Sequence, residues 1–161
     1  MQFANNSNGG NCNDCEWISA QGEITQDTPE RFESFLTENG LTESVYNVYL
    51  SSPGGSLKAG IALGNMRRRY GKKTNVGATI PDTENMPHET TTDGQCLSAC
   101  AFSFIGGIER EVPENSVIGV HQFYTNDYNS RPNTPVYTPR FLAETQAFNS
   151  TVLDYIVSMG V

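Results

Sequence analysis

The sequence predicts an α/β fold built on a largely parallel sheet, and three observations carry that expectation. Short runs rich in β-branched and aromatic residues alternate with stretches of helical periodicity through most of the chain. Glycine, proline or asparagine punctuates the junctions between them. The 161 residues suit one domain with a core of its own.

The elements follow in order. Residues 1–14 carry five asparagines and Gly9-Gly10 with almost nothing apolar, so they read as a flexible N-terminal arm ahead of a single domain over 15–161. Trp17 to Thr25 has strand character, with Gly22 as a bulge. A helix opens at Asp27 or Thr28 with Pro29 in its first turn. It sets Phe32, Phe35 and Leu36 on one face and stops at Asn39-Gly40. Val45 to Leu50 alternates as a strand and runs into Ser51-Ser52-Pro53-Gly54-Gly55. Leu57, Ile61, Ala62 and Met66 recur at helical spacing up to Gly71, and Lys73 to Ile80 is a further short strand. Pro81 to Gly94 is polar and turn-rich, long for a connector, and is expected to be a functional loop. The apolar run after Gln95 reads as a buried helix opening near Ser98. Ser116 to Phe123 reads as a buried strand, Asn126 to Thr138 as a loop, and Phe141 to Met159 as a long amphipathic helix.

Charge removes several classes of partner. Ten Lys and Arg against 18 Asp and Glu give a net charge of -8, which disfavours binding to a nucleic-acid backbone. The nearest basic cluster, Arg67-Arg68-Arg69 with Lys72-Lys73, falls at a helix end, where cations suit the dipole. No run approaches the roughly 18 apolar residues of a membrane span. Charged residues make up 17% of the chain, below the roughly 25% usual for soluble domains. Asn, Thr, Ser and Gln must therefore cover much of the surface. No secretory signal opens the sequence, so the chain is either cytosolic or a processed export form with Met1 in place of its leader.

Three segments fall at strand ends or helix starts, where sites assemble in open α/β sheets: Ser52-Pro53-Gly54-Gly55, Gly94 to Ala99, and Gly119-Val120-His121-Gln122. The glycine pair leaves backbone N–H groups free to meet an anion. Ser98 stands at a helix start, and His121 is one of only two histidines. Serine becomes a nucleophile when a nearby base takes its proton, and histidine is the usual base at neutral pH. Acyl transfer also needs two N–H donors aimed at the oxyanion, for which Gly55 and Ala99 are the natural pair. Each residue has a plainer reading too. Ser98 could cap the following helix, Gly54-Gly55 could be a simple turn, and His121 could be a satisfied core histidine. His88 reads as a solvated loop residue.

The runs S-S-P-G-G-S-L-K-A-G-I-A-L, G-Q-C-L-S-A-C and G-G-I-E-R-E-V-P-E-N-S-V-I-G-V-H-Q occur in that order between roughly Trp17 and Gln122. Together they resemble the proteolytic subunit of Clp protease, and most of all the exported Clp-like proteins of the ClpP/crotonase superfamily. The resemblance implies a crotonase-type ββα spiral core. It makes Ser98 the nucleophile, His121 the base, and the N–H groups of Gly55 and Ala99 the oxyanion hole. It also implies assembly into a homo-oligomer. In that family the acidic triad member lies well past the histidine, near a segment beyond the long helix, and this sequence stops about where that segment would begin. Asp154 is the candidate acid and Asp127 the other option, although helical spacing beside Tyr155 and Ile156 gives Asp154 a solvated-face reading. Pro81 to Gly94 looks like an insertion relative to the protease and would cover or narrow the cleft.

The four cysteines form two tight pairs, Cys12/Cys15 and Cys96/Cys100. Four thiolates can close a zinc shell, but the second spacing and its apolar surroundings suit zinc poorly. Free buried thiols are another reading. Disulfides are preferred, and imply an oxidising compartment. Local pairing, Cys12–Cys15 and Cys96–Cys100, is expected first; the rival is a tether from the N-terminal arm to the Ser98 loop. A bond at Cys96 or Cys100 would brace the turn that carries Ser98.

The expectation is thus a periplasmic or secreted serine hydrolase, a peptidase that cleaves extended peptide or protein substrates through an acyl-enzyme. It needs no cofactor and no metal. The alternative is a non-catalytic Clp-like binding or assembly module, favoured by the missing acidic segment and disfavoured by the Ser98/His121 pair. Acyl-CoA chemistry of the crotonase kind ranks last, because so acidic a chain offers no evident site for nucleotide phosphates.

Overall fold

Val48 and Leu50 point to one side of their strand and Asn47 and Tyr49 to the other, and this alternation sets the two faces of the main sheet. The computed structural model describes residues 1–10, 15–82, 88–121 and 138–161, which fall into two compact units, Met1–Val120 and His121–Val161. The chain order is β1 (Gln2–Ser7), β2 (Glu16–Gln21), α1 (Thr28–Glu38), β3 (Asn47–Ser51), α2 (Leu57–Arg69), β4 (Lys73–Val76), β5 (Ala78–Ile80), β6 (Thr90–Thr92), β7 (Gln95–Leu97), α3 (Ala99–Ile105), β8 (Arg110–Glu111), β9 (Val117–Gly119) and α4 (Pro139–Ser158).

The main sheet runs β1-β2-β3-β4-β8, with β2 through β8 parallel and β1 antiparallel at the edge. A smaller parallel pair, β7 with β9, is joined to it where Ser52, just past β3, bridges Cys96. One face of the main sheet carries Ile18, Ala20, Val48, Leu50 and Val76. Phe32 and Leu36 of α1, Leu63 and Met66 of α2, and Ala99, Cys100 and Phe104 of α3 close over them as one core. The α/β class and largely parallel sheet are therefore as expected.

The first helix begins and ends where its local signals put it. Asp27 is its N-cap position, Pro29 stands in the first turn, and Asn39 is the C-cap, followed by Gly40 at φ +66°. In α2 the Ser56 hydroxyl caps the helix by accepting the Ala59 N–H at 3.4 Å.

Several expectations are corrected. The segment read as a flexible arm carries β1, whose six residues pair in register with β2 from Gln2↔Gln21 to Ser7↔Glu16. Phe3 anchors it, its ring 4.9 Å from that of Phe32 and 5.9 Å from that of Phe35. Of the asparagines that suggested disorder, Asn5 is exposed on this strand, and buried Asn6 donates to the Ala4 carbonyl at 2.9 Å. Residues 11–14 lie outside the described residues. The single strand expected over 73–80 breaks at Gly77 into β4 and β5, where the chain passes so close to Tyr49 that a Cβ would stand 2.9 Å from its ring. The loop expected from Pro81 to Gly94 contains β6, which pairs back on β5 as a hairpin; residues 83–87 lie outside the described residues. Trp17 Nε1 donates to Thr79 Oγ1 at 2.9 Å, tying that hairpin to the sheet's second face. The strand expected to be buried over 116–123 is β9, with Val117 and Ile118 exposed.

The basic cluster is more than a dipole partner. Arg67 is fully buried, donates to Ser103 Oγ, and stacks its guanidinium over the Phe32 ring at 5.3 Å. Lys72 is also fully buried, and its ammonium donates to the carbonyls of Leu41, Thr42 and Ser44.

In the second unit α4 starts at Thr138, whose hydroxyl accepts the Phe141 N–H at 3.1 Å, with Pro139 at the first helical position. Val152, Tyr155 and Met159 are buried, spaced as one helix face. The loop expected over 126–138 lies, up to residue 137, outside the described residues.

Candidate active site

The chain passes from β7 into α3 through a single residue, Ser98, at φ 55° and ψ −120°. Among the described residues it is the only non-glycine with positive φ. That backbone region costs an L-residue on the order of 1–3 kcal/mol and persists only where surrounding structure imposes it. Ser98 makes no side-chain capping bond to the helix, so the N-cap reading of this serine does not hold. A strained strand-to-helix turn that lifts a serine hydroxyl away from its own helix is the geometry of a nucleophile elbow.

Hydrogen bonds, a disulfide and close packing impose the turn. The Ser98 N–H donates to the Gly119 carbonyl at 2.8 Å, and the Ser98 carbonyl accepts the Ala101 N–H at 3.0 Å. One residue before Ser98, Leu97 N–H donates to the Ser52 carbonyl at 3.0 Å, while Ser52 N–H donates to Gln95 O at 2.7 Å. Cys96 and Cys100, both fully buried, form a disulfide that spans the turn two residues to either side of Ser98. Gly54 packs against it from above: a Cβ at Gly54 would lie 2.7 Å from Ser98 Cβ and 2.7 Å from the Leu97 carbonyl.

The Cys96–Cys100 bond overturns three of the cysteine readings at once. Zinc ligation by four thiolates, free thiols at Cys96 and Cys100, and a tether from the N-terminal segment to this loop all require sulfurs that are already paired. Cys15 is disulfide-bonded as well. Cys12, and with it the expected Cys12–Cys15 pairing, lies outside the described residues.

The glycine turn is held as tightly as the elbow. Gly54 and Gly55 take φ of +102° and +133°, a conformation that needs glycine. The Ile24 N–H donates to Gly54 O and the Ser56 N–H donates to Ile24 O, both at 2.8 Å. Gly55, between them, is exposed, and among the described residues its N–H takes no acceptor. The Ala99 N–H is the first of α3 and has no helical acceptor. The elbow and the glycine turn therefore meet as two segments with backbone donors left over.

Of the residues singled out by sequence, Gly54, Gly55, Ser98, Ala99, Cys96 and Cys100 are brought together in the first unit. His121 and Asp154 belong to the second unit. His121 is exposed and follows Gly119, the acceptor for Ser98 N–H, by two residues. Asp154 is exposed on α4. His88 is exposed beside Gly9. Asp127 lies outside the described residues. Among the described residues no three His, Cys, Asp or Glu side chains converge as metal ligands would.

Two contributors were given no role of their own from the sequence. Ser52 is fully buried, and its hydroxyl accepts the Gly54 N–H at 3.1 Å, shaping the glycine turn. The Ser-Pro-Gly pattern is a turn signal that points to this bond. Gly60 lets α2 lie on the start of α3, since a Cβ there would stand 2.3 Å from the Ala99 carbonyl. Gly60 and Gly64, four apart, are the readable trace of that close approach.

No protein-family model and no curated protein matches the chain. Solved structures do. The ClpP protease catalytic domain from Plasmodium falciparum superposes with a TM-score of 0.54 at 18% identity, over 88% of this chain and 64% of that one. A variant of ClpP1 from Listeria monocytogenes gives a TM-score of 0.49 at 16% identity, over 71% of this chain and 61% of that one. The chain thus spans less than two thirds of the length of either. The mixed α/β architecture with its mostly parallel sheet is a ClpP-type α/β fold, and that is the fold of this chain.

Proposed function

We propose that this chain is a serine hydrolase, a peptidase that cleaves extended peptide or protein substrates through an acyl-enzyme. The observation that carries the reading is the Ser98 turn: a positive-φ serine, released from capping duty and set against Gly54. In the proposed reaction Ser98 Oγ attacks the scissile carbonyl carbon while His121 takes the hydroxyl proton. The N–H groups of Gly55 and Ala99 donate to the oxyanion. The tetrahedral intermediate collapses, the proton passes from His121 to the departing amine, and water hydrolyses the resulting ester by the same route. Asp154 is assigned as the carboxylate that orients His121. No cofactor enters this chemistry. The disulfide fits an oxidising compartment, so the protein is proposed to act in the periplasm or outside the cell, as a homo-oligomer. Among the described residues no helix is long and apolar enough to cross a membrane.

A fluorophosphonate probe tests the reading, because it labels only an activated serine. Labelling of the wild-type chain, and its loss in Ser98→Ala with the fold kept, is the expected result. Equal labelling of Ser98→Ala sinks the nucleophile assignment. No labelling of the wild type favours the non-catalytic binding module.

A further inference from the structure

The Ser98 turn is costly for an L-residue and is bracketed by a bond that can be broken reversibly. Cys96 ends one side of it on β7, and Cys100 lies on the first turn of α3. The remaining constraints are non-covalent: they act before the turn through Ser52, on the Ser98 amide through Gly119, on the Ser98 carbonyl through Ala101, and by the packing of Gly54 against Ser98 and Leu97. Among the described residues the disulfide is the one covalent cross-link from the strand side to the helix side across the serine. We propose that the Cys96–Cys100 disulfide is a positioning device for Ser98, so that oxidation sets the reactive turn and reduction by a dithiol relaxes it while the rest of the unit stays folded.

The step is a thiol–disulfide exchange. The Cys96 Sγ–Cys100 Sγ bond breaks, two electrons and two protons pass to the cysteines, and the dithiol closes to its own disulfide. With the link gone, Ser98 can rotate toward negative φ, where its hydroxyl becomes an ordinary helix cap. The Ala99 N–H turns with it. Both changes move the nucleophile and one oxyanion donor, and a displacement near 1 Å is enough to cost about a hundredfold in rate. The sulfurs are fully buried, so exchange must wait for local opening of the turn, and the device responds slowly to reductant.

This inference rests on the proposed nucleophile for its consequence but not for its geometry, and the experiment separates the two. Amide hydrogen exchange at Ser98 and Ala101 is followed in the native chain before and after dithiothreitol, beside fluorophosphonate labelling of the same samples. The expected result is faster exchange at Ser98 on reduction, unchanged exchange in α2 and β3, and a labelling rate lowered about tenfold or more. The double variant Cys96→Ala/Cys100→Ala should reproduce the reduced protein, and reoxidation of the native chain should restore the original rates. Unchanged exchange at Ser98 after confirmed thiol release overturns the proposal. Simultaneous loss of protection in α2 and β3 also overturns it, since the bond would then hold the whole unit and not the turn. If Ser98 exchange responds but the oxidised chain is never labelled, the positioning role stands and the hydrolase reading fails.

Discussion

Gly54 packs directly against the candidate nucleophile. Its φ of +102° already excludes most residues, and an added Cβ would overlap Ser98 Cβ at 2.7 Å and the Leu97 carbonyl at the same distance. Neither neighbour can give way, because one is the strained turn and the other is backbone. Gly54→Ala is therefore expected to lower stability by about 1–3 kcal/mol and to abolish labelling of Ser98, read by urea denaturation and by the fluorophosphonate probe. Lys72 is a second residue whose environment sets its behaviour. Burial pushes its ammonium below the ordinary value of 10.5, with Glu43 nearby acting the other way. Between that lowered value and 10.5 the folded chain binds fewer protons at Lys72 than the unfolded chain. Stability from this group accordingly rises with pH across that window. Lys72→Met removes this slope. Near neutral pH it also leaves the Leu41 carbonyl buried without its donor, at a cost of about 1–3 kcal/mol. Denaturation curves for both proteins between neutral and alkaline pH check the two statements together; parallel pH profiles would falsify the first.

At the scale of elements, the contact that matters most to the site is that of α2 with α3. Gly60→Ala ought to stabilise an exposed helix by roughly 1 kcal/mol through propensity alone. Here the new methyl would stand 2.3 Å from the Ala99 carbonyl, so overpacking of about 1–3 kcal/mol reverses the sign. The expected result is a lowered thermal midpoint together with weaker labelling of Ser98, because the displaced Ala99 carries one of the two proposed oxyanion donors. Elements closed by local signals were legible in the sequence: Asp27, Pro29 and Asn39-Gly40 bound α1, and Gly71 marks the end of α2. Elements defined by a distant partner were not. β1 looks like a polar arm until Phe3 meets Phe32 and Phe35, and β6 looks like loop until it pairs with β5. The site divides in the same way. Serine, glycine pair and cysteine spacing can be read along the chain, whereas the positive φ of Ser98 and the burial of Ser52 depend on segments far apart in sequence.

For the molecule as a whole, the exposed apolar surface is the feature that a lone chain does not explain. In the first unit Val117, Ile118 and Val120 are 55%, 40% and 75% exposed, on and just after β9, which among the described residues pairs only with β7. In the second unit Leu142, Leu153 and Val157 of α4 are 47%, 61% and 73% exposed. Scattered apolar residues are ordinary, but three within four positions on an unpaired strand edge invite another chain to cover them. A net charge of -8 sets up repulsion between copies without preventing contact at an uncharged edge. The proposed homo-oligomer would bury these residues. Val117→Lys with Val120→Lys should therefore lower the sedimenting mass to that of one chain while leaving the urea midpoint nearly unchanged, since neither side chain belongs to the core. The pair Leu153→Lys and Val157→Lys tests α4 in the same way. A wild-type chain that sediments as a monomer at every concentration tried would remove the oligomer from the proposal, and the labelling of Ser98 would then belong to the single chain.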